Sequence, residues 1–305
     1  MVITPHSANK GSQLADDLLP IREVARQTGV NPVTLRAWER RYGLIQPQRT
    51  PKGHRLYSAE HIARIRQVLG WLQRGVAVGQ VKRLLQDSPT LREPISSLWD
   101  EQLNEWLACI EQLAERQLDD VFNRALALYP SETLCEHLMS PLLAQLQSRW
   151  AAHPSMRVEQ VFFLSWLRSK LNARIYHGNR LLSGAPLLML NLSDRAMEPN
   201  LWICAWLASN AGYPVRVLEW PVPAEDLALA AERIRPCALL LFSDQCIDPA
   251  HLKRLLGASQ LPLLLCGHAV SIHRDALQNL STLHLADTPL AALHCLQRLS
   301  LPDGQ

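Results

Sequence analysis

Residues 21–34 contain a stop and an immediate restart that few folds accommodate. Ile21, Val24 and Ala25 recur at helical spacing in IREVARQT, so a short helix with one apolar face is expected. Gly29 follows at the place where a left-handed residue closes a helix. After Val30 come Asn31, suited to an N-cap, and Pro32, suited to the first helical position, so a second helix begins at once. Two short helices joined by a glycine turn make a helix-turn-helix.

The second helix is expected over Pro32–Tyr42 (PVTLRAWERRY), with Leu35 and Trp38 inward and Val33, Thr34, Arg36, Ala37, Arg40 and Arg41 outward. Short side chains near its start can approach base edges, and arginines can hold phosphates or guanines. Residues 43–57 (GLIQPQRTPKGHRLY) predict a hairpin wing anchored by Leu44 and Ile45. Thr50-Pro51-Lys52-Gly53 is turn chemistry, Arg49, Lys52, His54 and Arg55 surround the tip, and Tyr57 closes the second strand. Ser58 then caps a helix with Ile62, Ile65, Leu69 and Leu72 inward, Gly75 ends it, and Val78–Leu85 forms one more amphipathic helix.

Charge concentrates in this segment. Residues 21–86 hold 13 lysines and arginines against three acids, a net of +10, whereas the rest of the chain holds 18 against 25, a net of −7. A small cation on an acidic body is the footprint of polyanion binding.

The stretches IREVARQTGVNPVTLRAWERRYGL, PQRTPKGHRLYS and IRQVLGWLQRGVAVGQVKRLL closely resemble the DNA-binding domain of MerR-type transcriptional regulators. The phrase NPVTLRAWERRYGL with QRT..GHRLY is most similar to the MlrA, BluR and CarH branch. The resemblance implies Arg36, Arg40 and Arg41 on the helix, and Arg49, His54, Arg55 and Tyr57 on the wing, as DNA contacts, to which the outward face of the helix adds Thr34 and the wing tip adds Lys52. It also implies a homo-oligomer on a pseudo-palindromic double-stranded operator, acting on RNA polymerase at a promoter.

The expected organisation is a tail at 1–19, the winged helix-turn-helix at 20–88, a helical bundle at 95–180 and a flavodoxin-like domain at 184–301. Residues 86–94, with Pro89 and Pro94, read as a linker. Helical patterns follow near 97–114, 116–129, 131–150 and 156–178, and their short loops suggest an antiparallel four-helix bundle. Strands are expected at 186–192, 215–219, 238–243, 261–266 and 282–285. Helices are expected near 198–211, 224–235, 248–257, 272–279 and 288–299, giving a doubly wound parallel sheet. The fold class is therefore multidomain, α and α/β.

The resemblance also supplies positions for a cobalamin, and the chain departs from them. The bundle motif, a Trp followed about ten residues on by Glu-His, becomes Trp150 with Glu159-Gln160. The Glu-x-x-His-x-x-Gly motif after the first strand falls on Asp194, Met197 and Asn200. A thioether is a poor substitute for imidazole on cobalt. No cofactor is expected, and Trp202 and Trp206, four apart, can fill the old cavity or simply pack a helix–sheet core. The input is then expected through a protein partner, such as a blue-light photoreceptor or another anti-repressor. The alternative is a cobalamin- or small-molecule-binding repressor. A cobalamin-dependent enzyme fragment fails on the missing histidine and on the DNA-binding module, and the chain holds no Walker loop, Ser-His-Asp set or His-Glu-x-x-His, so no enzyme is expected.

Seven cysteines without CxxC spacing read as buried reduced thiols, and the histidines show no paired metal spacing. The longest apolar runs are too short to span a bilayer and residues 1–17 hold no apolar leader, so a cytoplasmic, nucleoid-associated protein without membrane contact is expected.

Overall fold

The computed structural model describes residues 18–86, 96–193, 195, 197–248, 254, 257, 261–277 and 283–299. The linker at 86–94, Asp194, and most of the helix expected at 248–257 lie outside the described residues, apart from Gln86. The chain divides into two compact units, 1–109 with 116–139, and 110–115 with 140–305. That division runs through the four helical segments between residues 96 and 179.

In the first unit α1 (Ile21–Thr28) ends on Gly29, whose φ of 70° is the left-handed closure that glycine adopts without strain. The side chain of Asn31 accepts from the Val33 amide at 2.8 Å and so caps α2 (Pro32–Ala37). The expected helix to Tyr42 does not stay α-helical, because residues Trp38–Tyr42 form a π turn closed by Gly43 at φ 58°. The wing strands are β2 (Gln48–Arg49) and β3 (Arg55–Tyr57). A third strand, β1 (Leu19–Pro20), was not expected; it pairs antiparallel with β3, Leu19 opposite Tyr57. Ser58 caps α3 (Ala59–Gln73) in a reciprocal box with His61, and Gly75 at φ 83° precedes α4 (Val78–Gln86). Val24, Leu35, Trp38, Ile62, Ile65, Val68 and Leu72 form the core of this reader.

Two further helices of the unit, α5 (Ser96–Glu111) and α6 (Glu115–Leu128), build on it, α5 through its residues up to Cys109. The Trp99 indole donates to the Gly75 carbonyl at 2.7 Å, and a ring nitrogen of His137 lies 3.2 Å from the Gln73 carbonyl. These meet acceptors at the C-terminal end of α3 that helix geometry leaves over. Trp99 also packs its ring on Tyr129 and stacks on His137. Trp38, within the π turn, donates to the Leu128 carbonyl at 2.9 Å.

The helix expected at 131–150 is interrupted: α7 (Ser131–Leu134) passes through a π turn (Cys135–Met139) into α8 (Ser140–Ala152). In the second unit α8 and α9 (Arg157–Asn179) precede the sheet. Five parallel strands, β4 (Leu187–Asn191), β5 (Val215–Leu218), β6 (Ala238–Phe242), β7 (Leu263–Cys266) and β8 (Leu283–Ala286), lie in the order β5-β4-β6-β7-β8. That is the flavodoxin-like order, with its switch point where β5 and β6 flank β4. All residues of β4, β6 and β7 are buried, as strands covered on both faces require. α10 (Pro199–Asn210) packs against α9 and the terminal helix Pro289–Arg298, and α11 (Ala224–Ile234) follows β5. The helix expected at 272–279 is instead two short turns, Ala269–Ile272 and Arg274–Leu277, separated at His273. Among the described residues no helix is long and apolar enough to cross a membrane.

Candidate nucleic-acid interface

The cationic side chains of the reader converge from three elements. A cleft of about 280 Å³ lies between the start of α1, the recognition helix and the wing, lined by Arg22, Arg36, His54 and Arg55 among others. Arg40 and Arg41 stand exposed on the π turn, and Lys52 and His54 stand exposed at the wing tip. The tip is set by local chemistry: the Gly53 amide donates to the Thr50 carbonyl at 2.8 Å and the His54 amide to the Thr50 hydroxyl at 3.1 Å. Arg22 was not among the expected contacts, although it opens a helix whose N-terminus faces the same cleft; its charge in the first turn was the available signal.

Two expected contacts are corrected. Thr34 is 1% exposed. It stands four residues before Trp38 and so shares the buried face of the helix, a pairing that the inward assignment of Leu35 and Trp38 already entailed. Tyr57, paired with Leu19 of β1, is fully buried, and its hydroxyl has no hydrogen-bond partner. Burial raises its pKa. Both belong to the core that holds the reading surface.

Arg49 and Arg55 are not free cations. They sit directly opposite each other in the β2–β3 register, and the carboxylate of Glu39 on the recognition helix bridges them. Arg49 Nη2 donates to Oε1 at 2.6 Å, and Arg55 Nε donates to Oε2. Burial pushes the Glu39 carboxyl up, but the hydrogen bonds from Arg55 and Arg49 outweigh it and hold its pKa below the ordinary 4.5. Sequence reasoning passed over Glu39; the signal was a lone acid inside an arginine-rich recognition helix.

In the second unit the carboxyl ends of the strands border a cavity of about 460 Å³. Trp150, Gln160 and Met197, taken from separate motifs, line it together, with Arg195, Asp244 and His268. Glu159 turns aside: it accepts from the Trp150 indole and from Arg149, each at 2.6 Å. Asn200 lies 3.4 Å from Asp244, whose carboxylate also accepts from the His268 amide at 3.0 Å. For cobalamin this is a poor donor set. Met197 offers a thioether where the motif has imidazole, Gln160 an amide, and Asn200 a side chain where the motif has glycine. Beside the cavity, Glu198 is fully buried; one oxygen accepts from Ser193 Oγ at 2.6 Å and the other has no partner. Burial pushes its pKa up. Trp202 and Trp206 are buried on α10, and the Trp202 indole lies 3.1 Å from Glu219. A neighbouring cavity that shares Gln160 and Met197 is lined by Val161 and Trp220, both exposed. Five of the cysteines are buried; Cys246, contrary to expectation, is exposed and lies 3.4 Å from His273. Among the described residues no group of histidine, cysteine and acidic side chains could hold a metal ion.

Residues 19–88 match the model of the MerR HTH family of regulatory proteins. The chain is 34% identical over 203 residues to the HTH-type transcriptional regulator MlrA of Escherichia coli, covering 66% of this chain and 79% of that one. It is 27% identical over 245 residues to the HTH-type transcriptional repressor CarH of Myxococcus xanthus, covering 73% and 78%. A solved cobalamin-binding protein from Desulfitobacterium hafniense overlaps 64% of this chain and 97% of its own at 14% identity and a TM-score of 0.34, too slight an overlap to bear on function.

Proposed function

This chain belongs to the MerR family of helix-turn-helix regulatory proteins, in the branch of MlrA and CarH, and from that premise we propose how it reads DNA and how it is addressed. The reading surface is Arg36, Arg40 and Arg41 on the recognition helix with Arg22, Lys52 and His54 around it, and Arg49 and Arg55 held behind them by Glu39. The observation that carries this is the cationic cleft in which Arg22, Arg36, His54 and Arg55 meet from three elements. Arginines on the helix supply base and phosphate contacts, and the wing supplies backbone contacts. The chain acts in the cytoplasm as a homo-oligomer on a pseudo-palindromic operator at a promoter served by RNA polymerase. Its role is binding, not catalysis.

The domain that follows the reader, with boundaries at 95–180 and 184–301, takes its signal from a protein and works without cobalamin. Met197, Gln160 and Asn200 support the second part, and the exposed Val161 and Trp220, which line one cavity, support the first, since apolar side chains gathered on a surface mark interaction sites. A flavin photoreceptor acting as anti-repressor is the partner we favour. The test is an absorption spectrum of the purified chain after dark incubation with adenosylcobalamin and removal of the excess. Absorption confined to the protein band near 280 nm is expected. A retained visible band would overturn the cofactor-free reading and make the corrinoid the direct input.

A further inference from the structure

Glu39 is the only acid in the recognition helix, and it points its carboxylate at the wing rather than at solvent. Its side chain is 15% exposed, and it pairs with both Arg49 and Arg55. Arg49 and Arg55 are cross-strand neighbours, an arrangement in which like charges destabilise a hairpin. The carboxylate removes that repulsion and ties both strands to the helix that carries Arg36, Arg40 and Arg41. The two sides of the clamp differ: Arg49 is 48% exposed and Arg55 is 17% exposed. Arg49 can therefore reach a phosphate while still paired, whereas Arg55 serves chiefly as the inner tie.

We propose that Glu39 is a specificity-determining positioning residue, which fixes the spacing between the base-reading helix and the wing and withholds charge from DNA of the wrong sequence. The inference rests on the DNA-reading function proposed above. A reader with a free wing can settle its arginines on any phosphates, because phosphate contacts carry no sequence information. With the wing clamped, wing and helix contacts are satisfied together only where the groove presents the right bases at the right offset. The carboxylate also takes one unit of positive charge off the surface, which lowers affinity for every duplex and most of all for those bound by charge alone.

The experiment compares the full chain with its Glu39→Gln variant by fluorescence anisotropy on two labelled duplexes across a salt series. One duplex is the tightest recovered by the unmodified chain from a randomised pool; the other has equal length and unrelated sequence. For Glu39→Gln, affinity for the unrelated duplex is expected to rise roughly three- to tenfold, with its salt slope steeper by about one. Affinity for the selected duplex stays level or falls, so the ratio between the two drops about tenfold, a part of the range that separates specific from non-specific binding. A merely structural role would lower both affinities by one factor and leave the slope alone, and that result, or an unchanged ratio and slope, overturns the proposal. Should Glu39→Gln not fold, Glu39→Asp decides, because it keeps the charge but shortens the reach to Arg49 and Arg55. A fall in the ratio supports the clamp, and an equal fall in both affinities overturns it. If the unmodified chain enriches no sequence at all, the DNA-reading function fails first and the clamp with it.

Discussion

The reader and the sheet unit contrast in where their polar chemistry sits. In residues 18–86 the charged groups are at the surface, meeting in a cleft and at the wing, and the core beneath is apolar apart from Thr34 and the Tyr57 hydroxyl. In the second unit the informative polar groups are inside: Asn191, Ser193, Glu198 and Ser243 are buried at the carboxyl ends of the strands. Asn191 Oδ1 accepts from the Ser193 amide, and the Ser193 hydroxyl, with one proton to give, lies 2.9 Å from Asn191 Oδ1 and 2.6 Å from Glu198. A surface arranged for a polyanion works by leaving cations in water. In the crevice Asn191, Ser193 and Glu198 bond to one another, with one Glu198 oxygen left over. The contrast teaches that polar chemistry can be placed for a partner outside the fold in one unit and for the fold's own loops in the other.

The sharpest way to break the contrast is to attack both cores. Trp38→Ala and Trp206→Ala each remove a large buried indole, and each is expected to cost about 3–5 kcal/mol in chemical denaturation. At temperatures where both variants stay folded, only Trp38→Ala should weaken DNA binding, because it unseats the recognition helix and its bond to Leu128. Equal weakening by Trp206→Ala would show that the two regions do not act separately.

Arg36→Ala and Arg41→Ala should each weaken binding to a selected duplex by about 1–3 kcal/mol, the scale of a good arginine contact, with little change in thermal midpoint. If either leaves affinity unchanged at moderate salt, that arginine does not belong to the reading surface. A smaller effect sharpens the local side of the comparison. Asn31→Ala removes the cap accepting from Val33 and should cost about 1 kcal/mol of stability in thermal or urea unfolding. The smallest effect concerns Glu198. Its folded pKa lies above the unfolded one, so the protonated form adds stability at low pH that is lost as pH rises through the folded value. Glu198→Gln, which stays neutral, should gain on the unmodified chain in melting temperature as pH rises above the ordinary carboxyl value of 4.5. A difference that does not change with pH would mean that the titration of Glu198 is not linked to folding.

The elements that were legible in the sequence are those written in local chemistry. Gly29, Asn31 with Pro32, Ser58 and Gly75 mark helix ends through their own backbone preferences, and each stands at the boundary it signals. The three fully buried strands β4, β6 and β7 announce themselves as apolar runs, and all five strands fall within a residue or two of their expected ends. What escaped is set by pairing across distance. β1 is two residues with a proline and has no signal until β3 lies beside it. The π turn at Trp38–Tyr42 comes with a long-range bond from Trp38 to Leu128 that no local pattern announces. At the site, the outward arginines of the helix were legible from helical spacing. The tie between Glu39, Arg49 and Arg55 was not, because it joins residues 10 and 16 positions apart. In the second unit, Trp150, Gln160 and Met197 could be named from motifs, but their meeting in one cavity is a property of the fold.

Selection of duplexes from a randomised pool by the full chain, followed by a salt titration of its affinity for the recovered sequence, tests the DNA-reading function most directly. A near-palindromic sequence should be enriched and bound about a thousandfold or more tighter than unrelated DNA, with affinity falling steeply as salt rises. Failure to enrich any sequence, or equal affinity for selected and unrelated duplexes, would contradict it.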